Sequence, residues 1–318
     1  MRAQPPPLVK GERRIVFASA LEQSEQLMLA ASATGPAARP LPLFYALSQA
    51  GRAIAAARLR ECWRLAGHGL TTPAEDTETS LLRRVVRVDS RAPRQDRRHS
   101  FAGVAEATGS AVLSSTVELG AVWAAIPDRL VPLPPLPPED DVWPHPLPVE
   151  LTQWWTTAMP LAARAPFELL VDGLPEDSEA MTELLARYPT AAGAVPKVLA
   201  QTGGVQHQLT GTEKSLPVIV WPQFRIAWHQ LDAIAPEYGA FGQRILLPSV
   251  AGDPLSPLML WWVLLFGLSS IARYDPELWV DALDLNRSKL AVPIEAALEA
   301  ALEALPELIL DALVTQPN

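Results

Sequence analysis

Residues 258–273 read LMLWWVLLFGLSSIAR. From Leu258 to Leu268 the run is apolar throughout, with two tryptophans side by side at Trp261 and Trp262. A helix that is hydrophobic all round must be enclosed, by protein or by lipid. A membrane span needs roughly 20 such residues, and Ser269, Ser270 and Arg273 close this run too early. The stretch therefore predicts a buried core helix over Pro257–Arg273 and no membrane span. Directly after it, Asp275 and Pro276 supply an N-cap and a first-turn proline, so a new helix starts there.

If that helix is the core, other helices must cover it. The segment LPLFYALSQAGRAIAAARLRECWRLAGHGL, residues 41–70, predicts one that begins near Pro42. Leu43, Leu47, Ala50, Ile54 and Ala57 form its buried stripe. Ala46, Ala50, Gly51 and Ala53 are small enough for a second helix to approach closely. Arg58, Arg60 and Arg64 suit its last turns, where positive charge offsets the helix dipole, and Gly67 reads as a left-handed cap. Before it, residues 17–33 place Phe17, Leu21, Met28 and Ala31 on one face, interrupted by Ser24. At the other end of the chain, Ile294, Leu298, Leu302, Leu305 and Ile309 stripe a long helix, with Glu295, Glu299 and Glu303 outside it. Residues 1–12 read as a loose arm. Residues 13–126 read as a mainly helical N-terminal region.

Nine prolines crowd Pro127–Pro148, and this stretch reads as an extended strap that marks a boundary. Residues 149–318 follow as a mixed region. FELLVDG, SLPVIVW and RILLPSV suggest strands. SEAMTELLARYP and AAGAVPKVLAQ suggest helices. The expected fold class is mainly α with a minor β component (α+β) around a multi-helix core. In SSTVELGAVWAAIP, Ser115 and Glu118 have the spacing of a capping box.

Charge is unevenly spread. The chain carries a net −9, yet its first hundred residues are net positive at +7 and the remainder is −16. Seven arginines, Arg83, Arg84, Arg87, Arg91, Arg94, Arg97 and Arg98, fall within residues 83–98. Such a run attracts a phosphate backbone, so nucleic acid is one expected partner; the other reading docks it on the acidic remainder of the chain. No aromatic residue lies among the arginines to stack a base. Cys62 is the single cysteine, so no internal disulfide forms and a cytoplasmic, reducing location is expected.

The chemistry-bearing motifs are few. No pair among His68, His99, His145, His207 and His229 has metal-ligand spacing, so no metal and no cofactor is expected. There is no P-loop and no dinucleotide-binding glycine pattern, and GLSSIA is no nucleophile elbow.

Taken together, the blocks ALEQSEQLMLAA, LPLFYALSQAGRAIAAA, GHGL, SSIARYDPELW and ALEAALEALPELI resemble the YaaC-like proteins of bacteria, from about Phe17 to Val314. That family has no assigned biochemistry, so the resemblance implies kinship and no particular reaction. Tyr45, then Arg52-Ala53, then a histidine-bearing turn is more distantly similar to the opening of HEPN helical domains. That likeness implies RNA or nucleotide binding, or metal-independent ribonuclease activity. The nuclease members carry an arginine and a histidine on one late helix, and Arg273 has no such histidine after it.

The expected function is that of a non-catalytic binding or adaptor protein with a protein partner. The HEPN-like RNA reading is the alternative. The candidate site residues are His68, Arg273, Tyr274 and Arg52. They allow two groupings, His68 with Arg273 and Tyr274, or Arg52 with Tyr45 and Ser269. The competing expectation is that Arg52 snorkels or pairs with a carboxylate, and that Arg273 pairs with a local carboxylate such as Asp275 or Glu277.

Overall fold

The computed structural model describes residues 6–73, 80–91, 93, 97–127, 143–151, 167–171, 178–191, 195–199, 216–221, 237–238, 243–252 and 254–314. The chain divides into two compact units. One comprises Met1–Pro144 with Val250–Asn318, the other His145–Ser249.

The first unit is built on two helices, α2 (Pro40–Arg58) and α6 (Pro257–Tyr274). Every residue of α6 from Pro257 to Ile271 is buried. It is the one helix among the described residues long and apolar enough to cross a membrane, and its apolar window is 83% buried inside the protein. The tryptophans need thin neighbours. A β-carbon at Gly51 of α2 would lie 2.6 Å from the Trp262 ring and 2.8 Å from Val104. Gly51 is thus where α2, α6 and α3 (Ser100–Thr108) meet. Gly267 plays the same part on α6, where an added β-carbon would meet Leu119 of α4 (Leu119–Ala124) at 2.4 Å.

Around this centre lie α1 (Glu12–Ser32), α7 (Pro276–Leu283) and α8 (Ala291–Val314). Asp275 caps α7 by accepting from the Leu278 N–H at 3.3 Å. Trp279 of α7 donates its indole N–H to the Ala37 carbonyl at 2.8 Å, which ties α7 to the α1–α2 turn. Buried Arg39 in that turn pairs with Glu299 of α8. Val9 is also buried, so the segment before α1 is anchored at its end.

The strands of this unit are short. β1 (Leu65–Ala66) pairs in parallel with β4 (Arg98–His99). β2 (Leu70–Thr71), β3 (Val85–Val88) and β5 (Val117–Glu118) form an antiparallel sheet in that order. A 3-10 turn over Leu81–Arg83 leads into β3.

Among its described residues, the second unit forms a six-stranded antiparallel sheet. Its strands are β6 (Leu147–Leu151), β7 (Phe167–Val171), β8 (Val195–Leu199), β9 (Leu216–Trp221), β10 (Glu237–Tyr238) and β11 (Gln243–Leu246). Their order is β10-β11-β6-β7-β9-β8. α5 (Ser178–Leu185) precedes β8. Tyr188 is buried, its hydroxyl donates to the His145 carbonyl at 2.5 Å, and burial pushes that phenol above its ordinary range.

The fold class is mainly α with a minor β component, but several expected elements differ. Within AAGAVPKVLAQ, residues Val195–Leu199 form strand β8 where a helix is expected. Val195 and Val198 favour a strand, β9 offers a partner, and Pro196 is tolerated because β8 lies at the sheet edge. The capping box at Ser115 does not form, because Val117 and Glu118 pair with β3 and α4 starts only at Leu119. α2 ends at Arg58 and not at Gly67. Arg13 of α1 donates to the Ala56 carbonyl in the last turn of α2 at 3.2 Å, and to those of Leu59 and Arg60 just beyond it at 2.5 Å each. Finally, α6, α7 and α8 belong to the same compact unit as the N-terminal helices. The reason is that α6 finds its cover in α2, α3 and α4.

The Gly51 contact makes a direct prediction. Alanine is the better helix former by about 1 kcal/mol. Even so, Gly51→Ala should lower stability by roughly 1–3 kcal/mol, because its methyl group has no room against Trp262. Urea unfolding followed by tryptophan fluorescence measures this, and a variant as stable as the wild type would contradict the packing described.

Candidate functional site

His68 stands between Gly67 and Gly69, both with left-handed backbone at φ 62° and 81°. The turn is stapled to the start of α3. Ser100 Oγ donates to the Gly67 carbonyl at 2.5 Å, the Phe101 N–H donates to the His68 carbonyl at 3.0 Å, and the Asp89 N–H donates to the Gly69 carbonyl at 3.0 Å. A side chain at residue 69 would collide with His99 Cβ at 2.8 Å. Glycine there lets the loop press against α3 and fixes where the imidazole emerges.

The ring emerges among aromatics. Its centroid lies 5.1 Å from Phe44, 6.1 Å from Phe266 and 6.2 Å from Tyr45. Phe44 and Tyr45 come from α2 and Phe266 from α6, so both central helices shape the site. Nδ1 of His68 is buried and makes no hydrogen bond.

Arg273, in the last turn of α6, donates from Nε to the Ser269 carbonyl and from a terminal nitrogen to the Tyr45 hydroxyl, each at 3.2 Å. Its guanidinium also lies 4.8 Å from the centre of the Tyr274 ring, a cation–π contact. Arg273 makes no ion pair with Asp275 or Glu277. Asp275 instead faces Arg84. Arg52 of α2 points its Nε into a buried position without a partner, and no carboxylate among the described residues is bonded to it. The expected pairing of Arg273 with Asp275 or Glu277 is therefore not met, and of the two readings of Arg52 the carboxylate pair is not found among the described residues.

The two alternative groupings of the sequence reading fall together. Tyr45 links them, touching His68 with its ring and Arg273 with its hydroxyl. Ser269 adds only its carbonyl, because its own hydroxyl donates to the Phe266 carbonyl at 2.9 Å. Nearby, Thr72 and Ser270 share a hydrogen bond of 3.3 Å. The sequence reading left out Phe44 and Phe266 as site residues. Tyr45 and Arg52 are seven residues apart, as are Phe266 and Arg273, and that spacing puts each pair on one helix face, but it does not set a site aromatic apart from core.

Electrostatically the cluster is cationic, and no carboxylate among the described residues is bonded to it. Burial lowers the pKa of His68 first, and the positive charges of Arg273 and Arg52 lower it further. Neutral imidazole is thus the resting form beside two guanidinium groups.

The arginine run over 83–98 has a different character. Arg83 grips both oxygens of Glu118 at 3.0 and 3.2 Å and lies 5.5 Å from the Trp143 ring centre. Arg84 pairs with Asp275, Arg98 with Glu106, and Arg91 with Asp89 at 3.0 Å. Arg87 and Arg97 are exposed. Arg94 lies outside the described residues, as do His207 and His229. Among the described residues no cluster of His, Cys, Asp or Glu could hold a metal ion.

The molecule is a mainly helical protein with a histidine–diarginine cluster at the edge of its central helix pair. A family model described as YaaC-like protein matches residues 4–313. The chain therefore belongs to the YaaC-like family. Comparison with curated proteins finds no match, and neither does comparison with solved structures.

The depressed pKa of His68 has a consequence for stability. The unfolded chain, with its histidine near the ordinary 6.5, takes up the proton more readily than the folded one. The contribution of neutral His68 is complete above that value and is lost as pH falls through it toward the depressed folded pKa. Thermal unfolding from pH 7.5 down to 5 should show the wild type losing stability faster than His68→Gln. Parallel curves for the two proteins would contradict the environment assigned to His68.

Proposed function

We propose that this YaaC-like protein is a non-catalytic binding protein whose site takes a small anion, a carboxylate or phosphate group, between Arg52, His68 and Arg273. The observation that carries this reading is a missing counter-charge among the described residues: two arginines and a histidine gather in one place of an acidic protein, and no described carboxylate is bonded to them. Half-buried positive charge without an opposite charge beside it is costly, and an anion there would accept charge-assisted hydrogen bonds from both guanidinium groups. Tyr45 and Tyr274 hold Arg273 in place for that task.

The hydroxyls nearby support binding over catalysis. Ser100 is committed to the Gly67 carbonyl, Ser269 to the Phe266 carbonyl, and Thr72 and Ser270 to each other. A nucleophile beside His68 would need one of them free. A cytoplasmic setting, in keeping with the single cysteine, belongs to the same reading.

Sulfate is a suitable probe, because it does not titrate near neutral pH. Against sodium chloride at equal ionic strength, sulfate should raise the melting temperature of the wild type. Arg52→Gln and Arg273→Gln should each abolish that rise while folding normally, since each removes an unneutralised charge. Sulfate should also bind more tightly at pH 6 than at pH 8, because an anion favours protonated His68. No rise in the wild type, or an equal rise in the variants, would overturn the proposal. RNA binding through the 83–98 run makes a different demand. A short RNA would then bind with an affinity that falls steeply between roughly 50 and 200 mM salt. That binding would depend on Arg87 and Arg97 and not on Arg52 or Arg273.

A further inference from the structure

A second feature of the first unit has no connection with the histidine cluster. α1 and α8 both lean on α2 and leave a groove between them with a volume of about 640 Å³. Its walls include Leu21, Met28 and Leu29 of α1 and Pro306, Leu310 and Leu313 of α8. The sequence pattern assigns Leu21 and Met28 to a covered stripe, yet both are only half-buried. Leu29 is 65% exposed and Leu310 50% exposed. Large apolar side chains gathered in an open groove mark a contact surface.

The charges beside the groove select its occupant. Over residues 18–32 the only charged side chains are Glu22 and Glu25. Over residues 291–314 they are Glu295, Glu299, Glu303, Glu307 and Asp311. Neither stretch holds a lysine or an arginine. A second copy of this chain, pairing through the same face about a two-fold axis, would bring these carboxylates against their own counterparts, and like charges across an interface disfavour that pairing. An extended peptide would gain little, because the groove walls are helices whose backbones are already hydrogen-bonded and offer no sheet edge. A helix satisfies its own backbone and can lay an apolar stripe between two others.

Pro306 adds one polar feature. Proline has no N–H, so the Leu302 carbonyl lacks its usual helical donor, and both residues line the groove. That carbonyl is an acceptor for a donor side chain on the incoming helix.

We propose that the α1–α8 groove is a docking site for an amphipathic helix of a partner protein, with an apolar stripe flanked by lysine or arginine. The stripe fills the space between Met28 and Leu310. The basic flanks meet Glu303 and Glu307, which are exposed and make no ion pair among the described residues. This site is separate from the anion cluster, and each stands if the other fails.

The test uses the full-length protein and a fluorescein-labelled peptide of leucine and lysine, with leucines at i, i+3, i+4 and i+7. A peptide of the same composition with strictly alternating leucine and lysine serves as the comparison. Fluorescence anisotropy near physiological salt should show the helical peptide binding at least about tenfold more tightly than the alternating one. The double variant L29Q/L310Q should weaken it by a similar factor with an unchanged melting temperature, since both leucines are exposed. E303K/E307K should shift preference to a leucine–glutamate peptide of the same pattern. Four results would overturn the proposal: no binding of the helical peptide; equal binding of the two peptides; binding unaffected by L29Q/L310Q, which would mean general charge attraction; or a wild-type dimer in sedimentation that L29Q/L310Q dissociates, which would make a second copy the occupant.

Discussion

The enclosure of Trp261 and Trp262 is the constraint on which the first unit depends. Two adjacent indoles project from neighbouring positions of one helix, so α6 needs protein on more than one side. Gly51 lets α2 come close enough to cover Trp262, and Gly267 does the same for Leu119 of α4. A fully buried aromatic side chain contributes on the order of 2–3 kcal/mol through the apolar area it hides from water. The surrounding helices are thus arranged about these rings, and the short strands serve mainly to return the chain to them.

The polar cluster is a by-product of that packing. α2 and α6 lie against each other, and each carries an arginine seven residues beyond an aromatic. Where the apolar interface runs out, Tyr45, Arg52 and Arg273 come together, and the Gly67–Gly69 turn delivers His68 to the same place. The arrangement is rigid because its supports are: the turn is bonded to α3, and Arg273 is held by Ser269 and Tyr45. Its electrostatic frustration stands against the rest of the unit, where Arg39, Arg83, Arg84 and Arg98 each face a carboxylate.

What the sequence discloses follows from which forces are local. The stripes of α2 and α8, the apolar run of α6 and the Asp275 cap are periodic or adjacent signals, and they read correctly. The end of α2 was not legible, because Arg13, far back in the chain, takes carbonyls in and just beyond its last turn. The strand β8 was not legible, because its pairing with β9 outweighs the helix-like alanines before it. Glu118 has the spacing of a capping residue, but β3 claims its backbone and Arg83 its carboxylate. At the site, His68, Arg52 and Arg273 stand out as polar residues at the margins of apolar helices. Their convergence could not be read, because it depends on how α2 and α6 cross. The aromatic walls could not be told from ordinary core for the same reason.

The first unit is discontinuous in the chain, and this shapes how the protein is made. During synthesis α1 to α4 leave the ribosome well before α6, with all of His145–Ser249 between them. Throughout that interval the face of α2 around Gly51 and Ile54 has no Trp262 to cover it. Nascent chains in this state expose the kind of surface that aggregates or recruits chaperones. The native contacts also join distant parts of the sequence, which slows the search for them. Completion of this unit therefore waits for α6: a chain truncated before residue 257 carries α2, α3 and α4 but lacks the helix they are packed around.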